Sequence, residues 1–377
     1  MRLSFCLLLL SVAAAAQTEI QWEGYPAFEI ANEKIALTVT RQGGSMTRVV
    51  LKEDVEKMNP IWEPLRMARE AGTPRRSGAG GHFVCVDGFG PVSPEERDAG
   101  LTGHGEAKGL DMETLQAGRD GNTITLSLRS TLPMVQEVLT RSCRLVDGEQ
   151  VIYVDSELEN LMAFDRPVVW AEHATIGSPF LAPEETVVDL SAARSQVRPH
   201  KGRRVPHRLV PGADFAWPWA PAAAGGLVDV RGVPPKPNSL DHTTSLMDAN
   251  RQHQFVTALN RAKRLLLGYV FRHQDFPWLQ TWDNYSADLR MSRGIEFSTQ
   301  PYDVPRRESI GLGTMFGAPT YRWLPAKGKI TARFLMFYTR VPEGFRKVDD
   351  VRLEGGELVM EDRVNGITVR LAASRAL

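Results

Sequence analysis

The sequence has 377 residues, and its 45 basic and 45 acidic side chains give a formal net charge of zero at pH 7. A neutral balance argues against bulk electrostatic attraction to nucleic acid or to an anionic membrane. Hydrophobic residues make up 42% of the chain, which is enough to bury a core. Large β-sandwiches often use chains of this length as one domain. We therefore expect a single folded domain that does not bind nucleic acid.

The first sixteen residues have the pattern of a secretory signal. Arg2 is followed by an apolar run from Phe5 to Val12 and by small residues from Ala13 to Ala16. This order predicts a signal peptide over residues 1–16 and a mature domain over residues 17–377. No later stretch has the ~20 consecutive apolar residues of a membrane helix. The sequence therefore predicts a secreted or periplasmic protein without a membrane span.

Two cysteines remain after the signal, Cys85 and Cys143. In an oxidising compartment they can pair, or they can serve as small apolar residues on buried strands. Their spacing is not that of a structural zinc site, and the chain lacks a glycine-rich phosphate loop. We expect neither a metal nor a cofactor.

The strongest periodic segments alternate apolar and polar residues with period two. The clearest are Ile35 to Thr40, Ile124 to Leu128 and Ile330 to Tyr338. Such alternation predicts strands with one face towards a core. Asp147-Gly148 and Asn365-Gly366 supply the positive φ angles of tight hairpins. These patterns predict an all-β, antiparallel sandwich.

Helical signals are scarce. The best candidate is Ile61 to Ala71, where Pro64 confines the helix to a short, late-starting segment. The stretch from Ala192 to Asn238 is rich in Pro, Gly and Arg, which indicates a long surface excursion. Long loops in β architectures often shape binding sites.

Four polar groups of residues stand beside strand-like runs: Gly103-His104-Gly105-Glu106, Trp170-Ala171-Glu172-His173, Leu240-Asp241-His242 and Gly294-Ile295-Glu296. Taken singly, none is specific. His104 can cap a turn between its glycines, and His173 can be a half-buried core residue. Glu296 is the least ordinary, because a carboxylate among apolar neighbours is costly unless it has a partner.

A fifth stretch, Asp275 to Trp282, places aromatic residues beside hydrogen-bonding ones. Trp278 and Trp282 stand four residues apart and share one face of a strand by the period-two rule. The two tryptophans are either core residues or, if exposed in a groove, a platform for a sugar ring. Gln280 would then be a hydrogen-bond partner for the same ligand.

The order of these motifs resembles the aldose 1-epimerase (galactose mutarotase) family over roughly Phe28 to Tyr338. The matching pieces are Gly43-Gly44-Ser45-Met46, Asn59-Pro60-Ile61-Trp62, His104-Gly105, the hairpin Val135 to Asn160 with His173 and Pro179-Phe180-Leu181 after it, Asp241-His242, Pro277-Trp278-Leu279-Gln280, and Ile295-Glu296 with Gln300-Pro301 behind. The chain departs from the family pattern in three places. Phe297-Ser298-Thr299 separates Glu296 from Gln300, Ala174 follows His173, and Arg75 and Arg76 stand in different surroundings from the family's substrate-binding Arg.

The resemblance implies a galactose mutarotase-like antiparallel β-supersandwich whose concave face binds a monosaccharide or short oligosaccharide. It implies that Glu296 accepts the proton of the anomeric hydroxyl while His173 donates one to the ring oxygen. His104 and Asp241 would hold sugar hydroxyls, and Trp278 or Trp282 would pack against the ring. The chemistry is reasonable for these residue types, since histidine titrates near neutral pH and burial raises the pKa of a glutamate towards it.

Two other functions remain open from the sequence. The first is a carbohydrate-binding protein that keeps the concave site without turnover. The second is a glycoside hydrolase or lyase on a related sandwich, which would usually need two carboxylates about 5–9.5 Å apart. Glu296 with Asp241, Asp283 or Glu172 would supply such a pair.

Overall fold

The computed structural model describes residues 17–73, 80–199 and 206–377. The predicted signal peptide and the arginines at positions 75 and 76 lie outside the described residues. Among the described residues, no helix has the length and apolar composition needed to cross a membrane.

The described chain is built mainly from short antiparallel strands. The strands of the first half are β1 (Gln17–Trp22), β2 (Tyr25–Ala31), β3 (Ile35–Thr40), β4 (Met46–Leu51), β5 (Phe83–Val86), β6 (Glu113–Asp120), β7 (Thr123–Leu132), β8 (Glu137–Val146), β9 (Val151–Asn160), β10 (Arg166–Val168), β11 (Trp170–His173), β12 (Thr175–Gly177), β13 (Thr186–Leu190) and β14 (Ala192–Val197).

The strands of the second half are β15 (Asp214–Phe215), β16 (Trp219–Pro221), β17 (Leu227–Asp229), β18 (Ser239–Met247), β19 (Gln254–Asn260), β20 (Leu265–Phe271), β21 (Trp278–Tyr285), β22 (Ser292–Ser298), β23 (Thr314–Met315), β24 (Ala318–Pro319), β25 (Arg322–Leu324), β26 (Lys329–Arg340), β27 (Asp350–Glu354), β28 (Glu357–Asp362) and β29 (Ile367–Ala372). The α-helices are α1 (Pro64–Glu70), α2 (Pro94–Asp98) and α3 (Arg306–Leu312).

Two eight-stranded sheets form the sandwich. We call the first the front sheet; its order is β15-β14-β18-β21-β22-β11-β5, and β12 also pairs with β22. The second, the back sheet, has the order β13-β19-β20-β26-β9-β8-β7-β6. A four-stranded sheet, β1-β2-β3-β4, stands at the N-terminal end. The antiparallel β-sandwich predicted from the sequence is confirmed.

The main hydrophobic core lies between the front and back sheets. Because side chains alternate along a strand, Leu279, Ile295 and Phe297 of the front sheet share one face, which we call the core face. Phe297 stacks on Phe271 of the back sheet with ring centroids 4.5 Å apart. The opposite face of the front sheet, which we call the open face, carries the polar residues described below.

Part of the back sheet is covered on both of its faces. The C-terminal sheet β27-β28-β29 packs Val351 and Met360 against Val270 and Phe337, on the side away from the main core. For this reason every residue of β20 is buried, and the strand is a continuous apolar run rather than an alternating one.

Several local predictions are confirmed. The three alternating segments lie in β3, β7 and β26, and the two Gly-containing turns connect β8 to β9 and β28 to β29. Pro64 is the first residue of α1, where its missing N–H costs no intrahelical bond. The expectation of one buried face fails for β3 and for residues 124–128 of β7, because every residue of both segments is buried.

Cys85 and Cys143 are both buried free thiols. Cys85 belongs to a small cluster with Phe83 and Phe89, whereas Cys143 is part of the main core. The two cysteines therefore serve as small buried residues on different sheets, which was one of the two alternatives left by the sequence.

Candidate functional site

A row of polar side chains crosses the open face of the front sheet. Glu296 pairs with Gln280, Gln280 pairs with Thr244, and Thr244 pairs with Gln196 on successive strands. Residues paired across an antiparallel ladder point to the same face, so all four side chains lie on the side opposite Ile295. This alignment brings together residues that are 100 positions apart in the sequence.

An interruption in the sheet places His173 at the end of this row. Ala171 pairs with Ser298, and Thr175 pairs with Gly294 on the same strand β22. Between these pairs the N–H of Ala174 turns back to donate to the carbonyl of Glu172 at 2.8 Å. This bond closes a three-residue γ-turn with His173 at its centre, opposite Glu296.

The imidazole of His173 and the carboxyl of Glu296 are in direct contact. The distance between Nε2 of His173 and Oε1 of Glu296 is 3.3 Å. Both side chains are largely buried, with 8% and 5% of their surfaces exposed. Oε1 of Glu296 is not aligned for a hydrogen bond and has no other hydrogen-bond partner among the described residues. The carboxyl group thus lies beside the imidazole, and its Oε1 atom accepts no hydrogen bond from the described residues.

Burial favours the uncharged form of both groups. It raises the pKa of Glu296 to about 8, against a smaller lowering effect of Arg198. Burial also holds the pKa of His173 well below its usual value, and neighbouring His104 adds to this effect. Without a ligand, one proton is therefore kept on Glu296 at neutral pH while His173 is neutral.

His173 is oriented by two further contacts. Its ring stacks on Phe83 with centroids 4.3 Å apart and an interplanar angle of 19°. Its Nδ1 atom lies 3.0 Å from the hydroxyl of Thr175. The stack fixes the plane of the imidazole, and the hydroxyl fixes the nitrogen that faces away from Glu296. Nε2 is consequently the nitrogen that is presented to the carboxyl group.

His104 lies beside His173, with ring centroids 5.0 Å apart in an edge-on arrangement. The Nδ1 atom of His104 accepts a hydrogen bond from the N–H of Gly90 at 3.3 Å. Burial lowers the pKa of His104 to about 4, so the ring is neutral at pH 7 and carries its proton on Nε2. Gly105 permits this tight turn, because a Cβ there would lie 2.3 Å from the carbonyl oxygen of Val86.

The three residues singled out in β21 have different surroundings. Gln280 is buried beside Glu296 and donates to the carbonyl of Gln300 at 3.4 Å. Trp282 is half-buried and meets Trp62 edge-on at 6.0 Å. Trp278 is fully buried, and its indole N–H donates to the carbonyl of Pro319 at 2.8 Å. Of the two tryptophans, Trp282 alone has a surface that a sugar ring can contact.

The position of Asp241 corrects the expectation that it holds a sugar hydroxyl. Asp241 pairs with Asp283, and this pair lies on the face opposite to Gln280 and Glu296. Its carboxylate accepts from the N–H and the guanidinium of Arg208 at 2.9 and 2.8 Å. Asp241 therefore anchors the chain at Arg208 and points away from Glu296.

Two other carboxylates considered as partners of Glu296 also point away from it. Asp283 pairs with the fully buried guanidinium of Arg293 at 3.0 Å. Glu172 accepts two hydrogen bonds from Arg141 of the back sheet, at 2.8 and 2.9 Å. Both groups lie on the core face, so neither forms a pair with Glu296 across a ligand on the open face.

Some residues of the site were not found from the sequence. The guanidinium of Arg198 donates to Nδ1 of His242 at 3.0 Å and to the carbonyl of Asp303 at 2.8 Å, and it also forms an ion pair with the Asp303 carboxylate. His242 pairs with Trp282 and so shares the open face with Glu296. Period-two alternation applied to Asp241-His242 would have shown that only one of the two residues can face the ligand.

Within the described ranges, no group of three or more His, Cys, Asp or Glu side chains is arranged to hold a metal ion. The described side chains of the site are one carboxyl, one imidazole beside it, neutral hydrogen-bonding groups and the Arg198–Asp303 ion pair.

Comparisons with known proteins identify the fold. No family model matches the sequence, and no curated protein matches it. The structure is similar to an aldose 1-epimerase candidate from Klebsiella pneumoniae, with a TM-score of 0.59, 14% identity and coverage of 87% of this chain and 83% of that one. It is also similar to a galactose mutarotase related enzyme from Lactobacillus acidophilus, with a TM-score of 0.55, 13% identity and coverage of 87% and 100%.

A third similar structure is a galactose mutarotase-like protein from Clostridium acetobutylicum, with a TM-score of 0.56, 12% identity and coverage of 87% of this chain and 99% of that one. Identities this low establish the fold and not the reaction. The chain has the all-β, galactose mutarotase-like antiparallel fold that its sequence motifs implied.

Proposed function

We propose that this chain is an exported, aldose 1-epimerase-like isomerase that interconverts the anomers of a sugar on the open face of its front sheet. The observation that carries the proposal is the 3.3 Å contact between Nε2 of His173 and Oε1 of Glu296. Anomer exchange needs one group that takes a proton from the anomeric hydroxyl and another that gives one to the ring oxygen. A positioned acid or base contributes about 10²–10⁴-fold to such a step.

The proton count of the pair fits this chemistry. In the free protein the single transferable proton is on Glu296, because the pKa of that carboxyl is raised to about 8 and the pKa of His173 is lowered. Transfer of this proton to Nε2 of His173 gives a carboxylate base and an imidazolium acid. A sugar hydroxyl that donates to Glu296 favours the transfer, since hydrogen bonds to a carboxylate lower its pKa.

The surroundings supply contacts for a pyranose. His104 offers an Nε2–H donor beside His173, Gln280 lies next to Glu296, and Trp282 offers an aromatic surface. These three groups are uncharged, and the Arg198 guanidinium near Glu296 is paired with the Asp303 carboxylate, which favours a neutral sugar over a strongly charged one. We propose that after ring opening the C1 carbonyl rotates in this site and that closure from the other side gives the second anomer.

The alternative of a non-catalytic sugar-binding protein rests on one specific observation. Burial keeps both Glu296 and His173 uncharged in the free protein, and a pair that stayed uncharged with sugar bound would hold the ligand without turnover. Hydrolysis is disfavoured, because Asp241, Asp283 and Glu172 lie on the core face.

The test is anomer exchange measured by NMR with a panel of aldoses, using the full chain. We expect faster exchange than in buffer, and a loss of at least 10²-fold in Glu296→Gln and in His173→Gln. The matched controls are Glu157→Gln on strand β9 and His253→Gln, both remote from the pair, and these variants should keep full activity. Sugar binding without acceleration would support the binding protein, and release of reducing ends from oligosaccharides would support a hydrolase.

A further inference from the structure

A buried charged cluster stands directly behind the candidate site. Glu172 precedes His173 in β11, and His82 precedes Phe83 at the start of β5. Neighbouring residues of an extended chain point to opposite faces, so Glu172 and His82 enter the core while His173 and Phe83 face the site. Both core-facing side chains are completely buried.

The cluster connects the two sheets through directional bonds. Arg141 of β8 donates from its two terminal nitrogens to the two oxygens of Glu172, at 2.8 and 2.9 Å. Nε2 of His82 lies 2.8 Å from Oε2 of the same carboxylate. Arg141 also donates to the hydroxyl of Ser156 at 3.2 Å. Planar two-point contacts of this kind fix orientation as well as distance.

The charge of Glu172 does not change in the pH range of the proposed reaction. Burial alone would raise the pKa of Glu172, but Arg141 and the hydrogen bond from His82 outweigh it and lower that pKa to about 2. The carboxylate is therefore permanent, and it is not a proton donor or acceptor for the site.

Stability by itself is a weak reason for such a cluster. Apolar side chains of similar volume often stabilise a core as well as a buried ion pair does, because the desolvation of the charges offsets their attraction. The cluster instead fixes the position of the backbone at Glu172. The carbonyl of Glu172 accepts the bond from Ala174 that closes the γ-turn at His173, and the side chain of Glu172 holds the first residue of that turn in place.

The same carboxylate also reaches the second strand of the site. His82 is tied to Glu172 and precedes Phe83, the ring on which His173 stacks at 4.3 Å. His173 thus follows Glu172 itself, and Phe83 follows a residue that is hydrogen-bonded to the Glu172 carboxylate. A shift of either strand would change the overlap of the two rings and the direction of Nε2.

We propose that Arg141, Glu172 and His82 are positioning residues that hold the His173–Phe83 stack so that Nε2 of His173 faces Glu296. This inference rests on the proposed function for its catalytic consequence. Its structural content, the orientation of the His173 ring, can be measured without any activity.

The test compares two double variants. Arg141→Met with Glu172→Gln removes the cluster's ion pair without leaving an unpaired charge. The control, Arg251→Met with Asp350→Asn, removes a partly buried ion pair between the C-terminal sheet and the loop before β19. Arg352 and Arg363, which also contact Asp350, keep their ion pairs with Glu361. The His173 imidazole is followed by long-range ¹H–¹⁵N NMR, with its signals assigned from His173→Gln. Thermal unfolding, kcat and KM are measured on the same samples.

We expect the first double variant to fold, to change the ¹⁵N shifts of His173 and to lose at least 10-fold in kcat with KM within about 3-fold. The control should leave the His173 signals and kcat unchanged even if its unfolding temperature falls. Unchanged His173 signals in the first variant would overturn the proposal. This readout remains decisive if the wild-type protein proves to have no epimerase activity, in which case only the proposed function fails.

If the first double variant does not fold, His82→Leu replaces it. This change removes one bond of the cluster and leaves the Arg141–Glu172 pair intact. Altered His173 signals in the folded variant would support the positioning role, and a wild-type spectrum of His173 would overturn it.

Discussion

Gly294 and Glu296 share one face of β22, and the carboxyl group of Glu296 lies directly over Gly294. A Cβ atom at position 294 would lie 2.2 Å from Oε1 of Glu296. This distance is far inside van der Waals contact, so the carboxyl group has its place because residue 294 has no side chain. The direction of Glu296 towards His173 is therefore set in part by a glycine two residues before it.

We expect Gly294→Ala to push the Glu296 carboxyl away from His173 and to lower the rate of anomer exchange by about 10²-fold. The matched control is Gly311→Ala in α3, where an added Cβ meets no atom within 4 Å. Exchange rates and far-ultraviolet circular dichroism of both variants check this prediction. Full activity in the folded Gly294→Ala variant would contradict it.

The raised pKa of Glu296 predicts a pH-dependent stability. Its pKa is about 8 in the folded protein, above the value of about 4.3 expected in the unfolded chain. Between these values the folded state keeps a proton that the unfolded state has lost, so this residue's contribution to stability falls as the pH rises from about 4 to 8.

Glu296→Gln removes this titration. We therefore expect the variant to be more stable than the wild-type protein at pH 8.5, by roughly 2–5 kcal/mol, and nearly equal to it at pH 4. Urea unfolding at the two pH values measures the difference. A stability difference of the same size at both values would argue against a protonated carboxyl in the folded protein.

The two tryptophans of β21 should respond differently to truncation. Trp278 is fully buried, so Trp278→Ala should cost about 3–5 kcal/mol of unfolding free energy. Trp282 is half-buried, so Trp282→Ala should cost less stability but raise the KM or Kd for the sugar by about 3–10-fold. Thermal unfolding and sugar titration of the pair separate the two roles, and equal sugar affinity in Trp282→Ala and wild type would exclude the platform.

Asp241 should behave as a structural residue. Asp241→Asn weakens the anchor of Arg208 and leaves a buried cation less well paired, for which we expect a loss of about 1–3 kcal/mol in stability. Sugar affinity per folded molecule should stay within about 2-fold of wild type. Gln280→Ala is the comparison on the open face and should weaken sugar binding instead. Loss of sugar binding in a fully stable Asp241→Asn variant would restore the role implied by the family resemblance.

Local features of this fold were predictable because they depend on neighbours in sequence. The Asp147-Gly148 turn, the late start of α1 at Pro64 and the long alternating strand that became β26 all follow from backbone sterics and side-chain period. Glu296 could also be singled out from its neighbours in sequence, because a carboxylate among apolar residues is costly unless it has a partner.

The sequence by itself determined an antiparallel β-sandwich and singled out Glu296 and His173 as a candidate pair. Only the tertiary structure decided which face each polar residue occupies: Asp241, expected at the sugar, lies on the core face, and its neighbour His242 lies on the open face. The physical reason is that nearly every residue of β18 and all of β22 are buried on both faces. The hydropathy of these strands then does not distinguish the core face from the open face. A shift of one residue in register would turn every side chain of the strand to the opposite face.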